Sequence, residues 1–116
     1  MSADTALLAA ADATLAAIGA ALDAAADDSD ADVDWSLNDG ILTIDGGAGG
    51  KIIVNRHAVN HEIWVAARAG GFHFRASAGA WHDTRTGAAL GERLAQLLRD
   101  QMGLAADLAG LPPPPG

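Results

Sequence analysis

From Val33 to Asp83 the chain is cut into short runs rich in β-branched and aromatic residues, most of them ended by a glycine-bearing turn signal. Val33, Trp35 and Leu37 alternate with Asp34 and Ser36, the period of a half-buried strand. Asn38-Asp39-Gly40 reads as a hairpin turn, because Asp and Gly tolerate positive φ, and Ile41–Ile44 is the returning strand. Asp45–Gly50 holds four glycines and reads as a flexible connection. Lys51–Asn55, Glu62–Ala67, Phe72–Arg75 and Ala80–Asp83 follow as the third to sixth strands, with Gly70-Gly71 turning the chain. Short strands at this spacing form an antiparallel meander, and its apolar face needs a covering layer.

Two amphipathic helices can supply that layer. Leu8, Ala11, Leu15, Ile18, Leu22 and Ala25 recur at 3,4 spacing, with Ser2 or Asp4 placed to cap the helix. Leu90, Leu94, Leu97, Leu98 and Met102 make a second stripe, with Thr86 as its candidate N-cap and Gly103 where a C-terminal glycine belongs. The expected fold is α+β: a two-layer sandwich, six antiparallel strands with the N- and C-terminal helices on one face. Residues 1–103 form that domain. Residues 104–116, ending in Pro112–Pro115, are expected to be a disordered, polyproline-like tail.

The 116 residues suit one domain with one modest core. With no Cys there is no disulfide, thiolate zinc site or catalytic thiol, and no thiolate ligand for an iron–sulfur cluster. No apolar run approaches the roughly 20 residues that span a bilayer, and Met1–Asp12 lacks a basic n-region, so a cytoplasmic protein is expected. The net charge of −8 argues against nucleic acid and anionic membrane as partners. That charge is unevenly spread. Residues 1–50 hold ten Asp and no Lys or Arg, whereas residues 51–116 hold all seven cations and five acids.

The acids gather where the first helix ends. Asp12, Asp23 and Asp27 share one helical face, and Asp28, Asp30, Asp32 and Asp34 continue into the first strand. Carboxylates at a helix C-terminus oppose its dipole and repel one another. Such a surface fits a solvated acidic face, a site for hard cations that prefer oxygen ligands, or a docking patch for a basic partner. The metal candidates are Asp23, Asp27, Asp28, Asp30, Asp32 and Asp34.

On the fourth strand Ile63 and Val65 point one way, and Glu62 and Trp64 the other. If the aliphatic pair faces the helices, Trp64 is exposed on the open sheet face, or is covered by a neighbour. Trp64, with Asn55, Arg56, Glu62 and His73, forms the candidate partner-binding set. The four histidines lack metal-site spacing: His57 and His61 lie on a loop entering a strand, and His73 and His82 on other strands. No nucleophile elbow, phosphate loop or dinucleotide fingerprint is present. The Gly46–Gly50 run has no Lys-Ser/Thr ending.

Lys51-Ile-Ile-Val-Asn-Arg56, His61-Glu-Ile-Trp-Val-Ala-Ala67, Gly70-Gly-Phe-His-Phe74 and Trp81, with the acidic stretch Asp27–Asp32 after a first helix, resemble the bacterial frataxin family. The likeness spans roughly residues 5–103. Val59, where a Pro is usual, and the alanines 24–26 beside Asp23 depart from the family pattern. The resemblance implies weak binding of Fe²⁺ or Fe³⁺, with other divalent or trivalent ions substituting. It also implies docking on cysteine desulfurase and on the iron–sulfur cluster scaffold protein, and a non-enzymatic role in cluster assembly. An iron-oxidising enzyme would need a dinuclear carboxylate site of the four-helix kind, which this pattern lacks. A monomer is expected, with metal-driven oligomers possible because an ion can bridge acidic surfaces.

Overall fold

A computed structural model describes residues 2–115. Its elements are α1 (Ala3–Asp27), β1 (Asp34–Asn38), β2 (Ile41–Asp45), a 3₁₀ turn (Gly47–Gly49), β3 (Lys51–His57), β4 (Glu62–Ala67), β5 (Gly70–Ser77), β6 (Ala80–Asp83) and α2 (Leu90–Met102). The sheet runs β1-β2-β3-β4-β5-β6, with every neighbouring pair antiparallel. This is the expected α+β meander.

One core joins the layers. Leu15, Ile18 and Leu22 of α1 and Leu94 and Leu98 of α2 meet Leu42, Ile44, Ile52, Val54, Ile63, Val65, Phe74 and Trp81 of the sheet. Ser2 caps α1, its Oγ accepting from the Thr5 N–H at 3.1 Å. Averaged over 18 residues, α1 has a mean hydropathy of 1.7, so by length and composition it could cross a bilayer. Its alanines and its Leu and Ile together produce that average, and the Leu and Ile stripe is buried against the sheet. The stripe starts one residue earlier than its spacing suggests, because Leu7 rather than Leu8 packs on the core.

Three further expectations need correction. Thr86 does not cap α2: the N-cap is Ala89, without a side-chain bond, and Thr86 belongs to a loop wrapped on Asp83. Leu37, on the edge strand β1, is exposed rather than inward. The packed unit also continues past residue 103. Gly103 closes α2 in the left-handed conformation, with its N–H on the Arg99 carbonyl, and Leu104 and Leu108 then enter the core. Residues 104–115 have no helix or strand, but they are anchored. The Leu108 carbonyl lies against the Cα of Gly91, where a Cβ would collide with it.

Gly19 plays the same part between α1 and β1. A Cβ there would stand 2.7 Å from the Trp35 ring. Gly19→Ala gains about 1 kcal/mol of helix propensity but must displace that ring, at about 1–3 kcal/mol. A net loss of about 1 kcal/mol, with altered Trp35 fluorescence, is expected from urea denaturation. A higher midpoint would show that the ring gives way freely.

Candidate functional site

The acidic candidates form one exposed ridge. Asp23 and Asp27 lie on the last turns of α1, Asp28 is its C-cap, Asp30 and Asp32 lie in the link, and Asp34 opens β1. No basic residue occupies the last turn of α1. Among the described residues none of the six carboxylates makes an ion pair. Asp23 accepts a hydrogen bond from Trp35 Nε1 at 2.8 Å, which fixes the helix end to β1. Asp12, on the same helical face in the sequence, is withdrawn from the ridge because both its oxygens accept from Arg56 at 2.8 Å. Asp45 was not anticipated. It lies directly across from Asp34 in the hairpin. The two-residue turn at Asp39-Gly40 sets that register, so counting back from the turn was the available signal. Like charges facing each other across strands cost stability, so the ridge is a repulsive feature retained by the fold. Among the described residues no three carboxylate or imidazole groups converge as a metal cage. An ion here would be held by one or two carboxylates and water.

The second surface is the open sheet face. Ile63 and Val65 are buried against the helices and Trp64 lies on the other side, as their alternation implies. Trp64 is nevertheless only half-exposed. Its ring is sandwiched between His57 (centroids 3.8 Å apart, planes 12°) and His73 (4.2 Å, 5°). Its Nε1 donates to Glu62 Oε1 at 2.7 Å. Register makes this stack, since Trp64 faces His73 directly and His57 faces Glu62. Glu62 is thereby buried on the open face, 5% exposed, and also accepts from Arg75 at 2.7 Å. It organises this surface from beneath, while Trp64 and His73 present theirs outward. Burial raises the Glu62 pKa, but the bonds from Trp64 and Arg75 and the charges of Arg75 and His73 outweigh it and hold the carboxyl below its usual value. Asn55 lies across from Trp64 on the same face. Arg56 does not: it shares the phase of Ile63 and points to the helix layer, where it pairs with Asp12. Sequence reasoning missed His57 as a member of this surface, because it placed the residue in a loop beyond the third strand.

Residues 2–104 match the profile of the family described as Frataxin-like domain. The iron-sulfur cluster assembly protein CyaY of Dechloromonas aromatica is 52% identical over 87 residues, which cover 74% of this chain and 83% of that protein. The protein of the same name from Burkholderia mallei is 50% identical over 84 residues, 72% of this chain and 77% of that one. Among solved structures, frataxin from Psychromonas ingrahamii superposes with a TM-score of 0.74 at 26% identity, covering 91% of this chain and 97% of that one. Trimeric yeast frataxin from Saccharomyces cerevisiae, complexed with ferrous, shares the fold at TM-score 0.72 and 24% identity, covering 81% and 86%. An antiparallel meander under two helices, edged by carboxylates, is thus a frataxin-like domain. The chain belongs to the frataxin family, and these named bacterial relatives are of its CyaY type.

Proposed function

We propose that this protein serves iron–sulfur cluster assembly in the cytoplasm, without enzymatic turnover. In this reading it carries Fe²⁺ or Fe³⁺ weakly as cargo on the Asp23–Asp34 ridge and docks that ridge on cysteine desulfurase. The open face around Asn55, Trp64 and His73 meets the cluster scaffold. The observation that carries the reading is the ridge itself: six exposed carboxylates without an ion-paired cation among the described residues, in a chain about half identical to bacterial proteins named for cluster assembly. Hard cations prefer such oxygen donors, and a basic surface is drawn to the same field. The absence of a convergent cage among the described residues favours weak, poorly selective binding.

Anaerobic ferrous titration followed by thermal melting tests the cargo role. Metal at 100 times its dissociation constant is expected to add about 2.7 kcal/mol, if the unfolded chain does not bind. No rise in midpoint at ionic strength matched with monovalent salt would remove iron from the proposal. A second reading, an acidic interaction module with incidental metal, draws on the same lack of a cage. Desulfurase binding that is identical with and without iron would favour it.

A further inference from the structure

β1 is a terminal strand of the sheet, and its register decides which of its backbone groups face outward. The Asp39-Gly40 turn, with both residues at positive φ, makes Asn38 and Ile41 the first hydrogen-bonded pair of the hairpin. The far side of β2 agrees. The Gly40 carbonyl accepts from the Arg56 N–H at 2.8 Å, so Gly40, Leu42 and Ile44 bond toward β3 and leave Ile41, Thr43 and Asp45 for β1. Asn38, Ser36 and Asp34 are therefore engaged with β2. Trp35 and Leu37 direct their N–H and C=O groups away from it, and among the described residues those groups meet no other backbone partner. The side chains along this edge differ by face. On the helix side Leu37 is 37% exposed, beside the half-buried Trp35. On the open side Asp34 faces Asp45 of β2, with Asp32 just before the strand and Asp39 at the hairpin tip. Lys51 lies one strand further in, across from Asp45, and makes no ion pair among the described residues. Arg56 comes within 3.9 Å of Asp39, but from the helix layer, where it is held by Asp12.

We propose that β1 accepts an extended segment of a partner protein as an added strand, one in which Lys or Arg alternates with apolar residues. Trp35 and Leu37, two residues apart, each offer one donor and one acceptor, which is the pattern an added strand completes. Strand periodicity then sorts the incoming side chains. Those on one face cover Leu37, and those on the other stand beside Asp34 and Asn38. An apolar residue suits the first position and a cation the second. An acidic segment is repelled by Asp32, Asp34 and Asp45. A second copy of this chain is disfavoured in the same way, because its own β1 brings Asp32 and Asp34 to the seam. The proposal rests on the docking reading in one respect, that a basic partner meets the acidic end of α1 and β1. It adds how that partner's chain is held, and it does not depend on iron.

The test uses the full chain labelled with ¹⁵N and follows the backbone amide signals of Trp35 and Leu37 at physiological salt. The probes are the capped peptide acetyl-Lys-Val-Lys-Val-Lys-amide, its counterpart N-methylated on every residue after the first, and its counterpart with Glu in place of Lys. The methylated peptide keeps the charges and side chains but cannot donate along the edge. The unmodified basic peptide is expected to move both signals saturably and to slow their hydrogen exchange. The methylated and acidic peptides are each expected to bind about fivefold more weakly or not at all. Leu37→Pro removes an outward N–H while leaving the bonds to β2, and is expected to weaken the basic peptide by a similar factor. Equal affinity for the basic and methylated peptides would overturn the added strand, while leaving the ridge as a surface that attracts cations. Amide signals of Trp35 and Leu37 unmoved by the basic peptide, or equal affinity for the acidic one, would overturn it too. Shifts of these signals with protein concentration alone would assign the edge to a second copy of the chain instead.

Discussion

Replacing Asp27, Asp28, Asp30 and Asp32 together by Asn is expected to weaken desulfurase binding by about tenfold or more at low ionic strength. The same variant should lose most of its response to ferrous ion. Asn keeps the size and polarity of each side chain, so the change is one of charge. Four negative charges leave a surface on which no cation makes an ion pair with Asp23, Asp27, Asp28, Asp30, Asp32 or Asp34 among the described residues. Two of the four stand at the C-terminal end of α1, where they oppose the helix dipole. The variant should therefore fold at least as stably as the parent. Screening acts over about 8 Å at physiological ionic strength, so the parent's affinity should fall with salt more steeply than the variant's. Titration of the desulfurase across a salt series, alongside melting with and without metal, checks all of this. Unchanged affinity at low salt would move the docking surface to the open sheet face.

Glu62→Gln is expected to cost about 1–2 kcal/mol at neutral pH. That is the lower part of the range for a hydrogen bond to a charged group, because Arg75 is 64% exposed and its charge is screened. Gln can still accept from Trp64 Nε1, but the ion pair with Arg75 is gone. The pH dependence tests the cause. The Glu62 carboxyl titrates lower in the folded chain than in the unfolded one, so its contribution is fully present above the unfolded value of 4.5. It is lost as pH falls through the folded value. The gap between wild type and variant, measured as urea midpoints from neutral pH downward, should therefore begin to close only once the pH is below 4.5. A gap that stays constant with pH would assign the loss to packing around Trp64 instead. Asp83 acts in the same direction. Burial raises its pKa, but the Arg85 and Thr86 backbone N–H groups and the Arg93 charge outweigh it. The Glu62→Gln variant should thus retain part of the parent's acid sensitivity.

These two surfaces also bear on the choice of mutations. Trp64→Ala removes two stacked imidazole contacts and the donor to Glu62, so it perturbs stability as well as any partner contact. An exposed Trp would have made it a clean probe. Trp64→Phe, which keeps a ring between His57 and His73, separates the two effects better.

Much of the architecture was legible in the residues because its causes are local. Alternation at Glu62–Ala67 and the Asp39-Gly40 turn determine strand and hairpin, and the 3,4 spacing of Leu15, Ile18 and Leu22 determines a helix with one buried face. The acidic ridge was legible for the same reason, since Asp27 to Asp34 are neighbours in the chain. The tertiary structure decided what lies across from what. It paired Arg56 with Asp12, 44 residues away, and so took both out of the surfaces assigned to them. It set His57 and His73 on the two faces of Trp64, and it seated Leu108 on Gly91 so that a segment without regular structure became part of the core. Periodicity says which face of a strand a side chain occupies. Its cover, its hydrogen-bond partner and its charge partner come from strands and helices brought alongside by the packing of the whole chain, and those choices are made by register and contact rather than by local sequence.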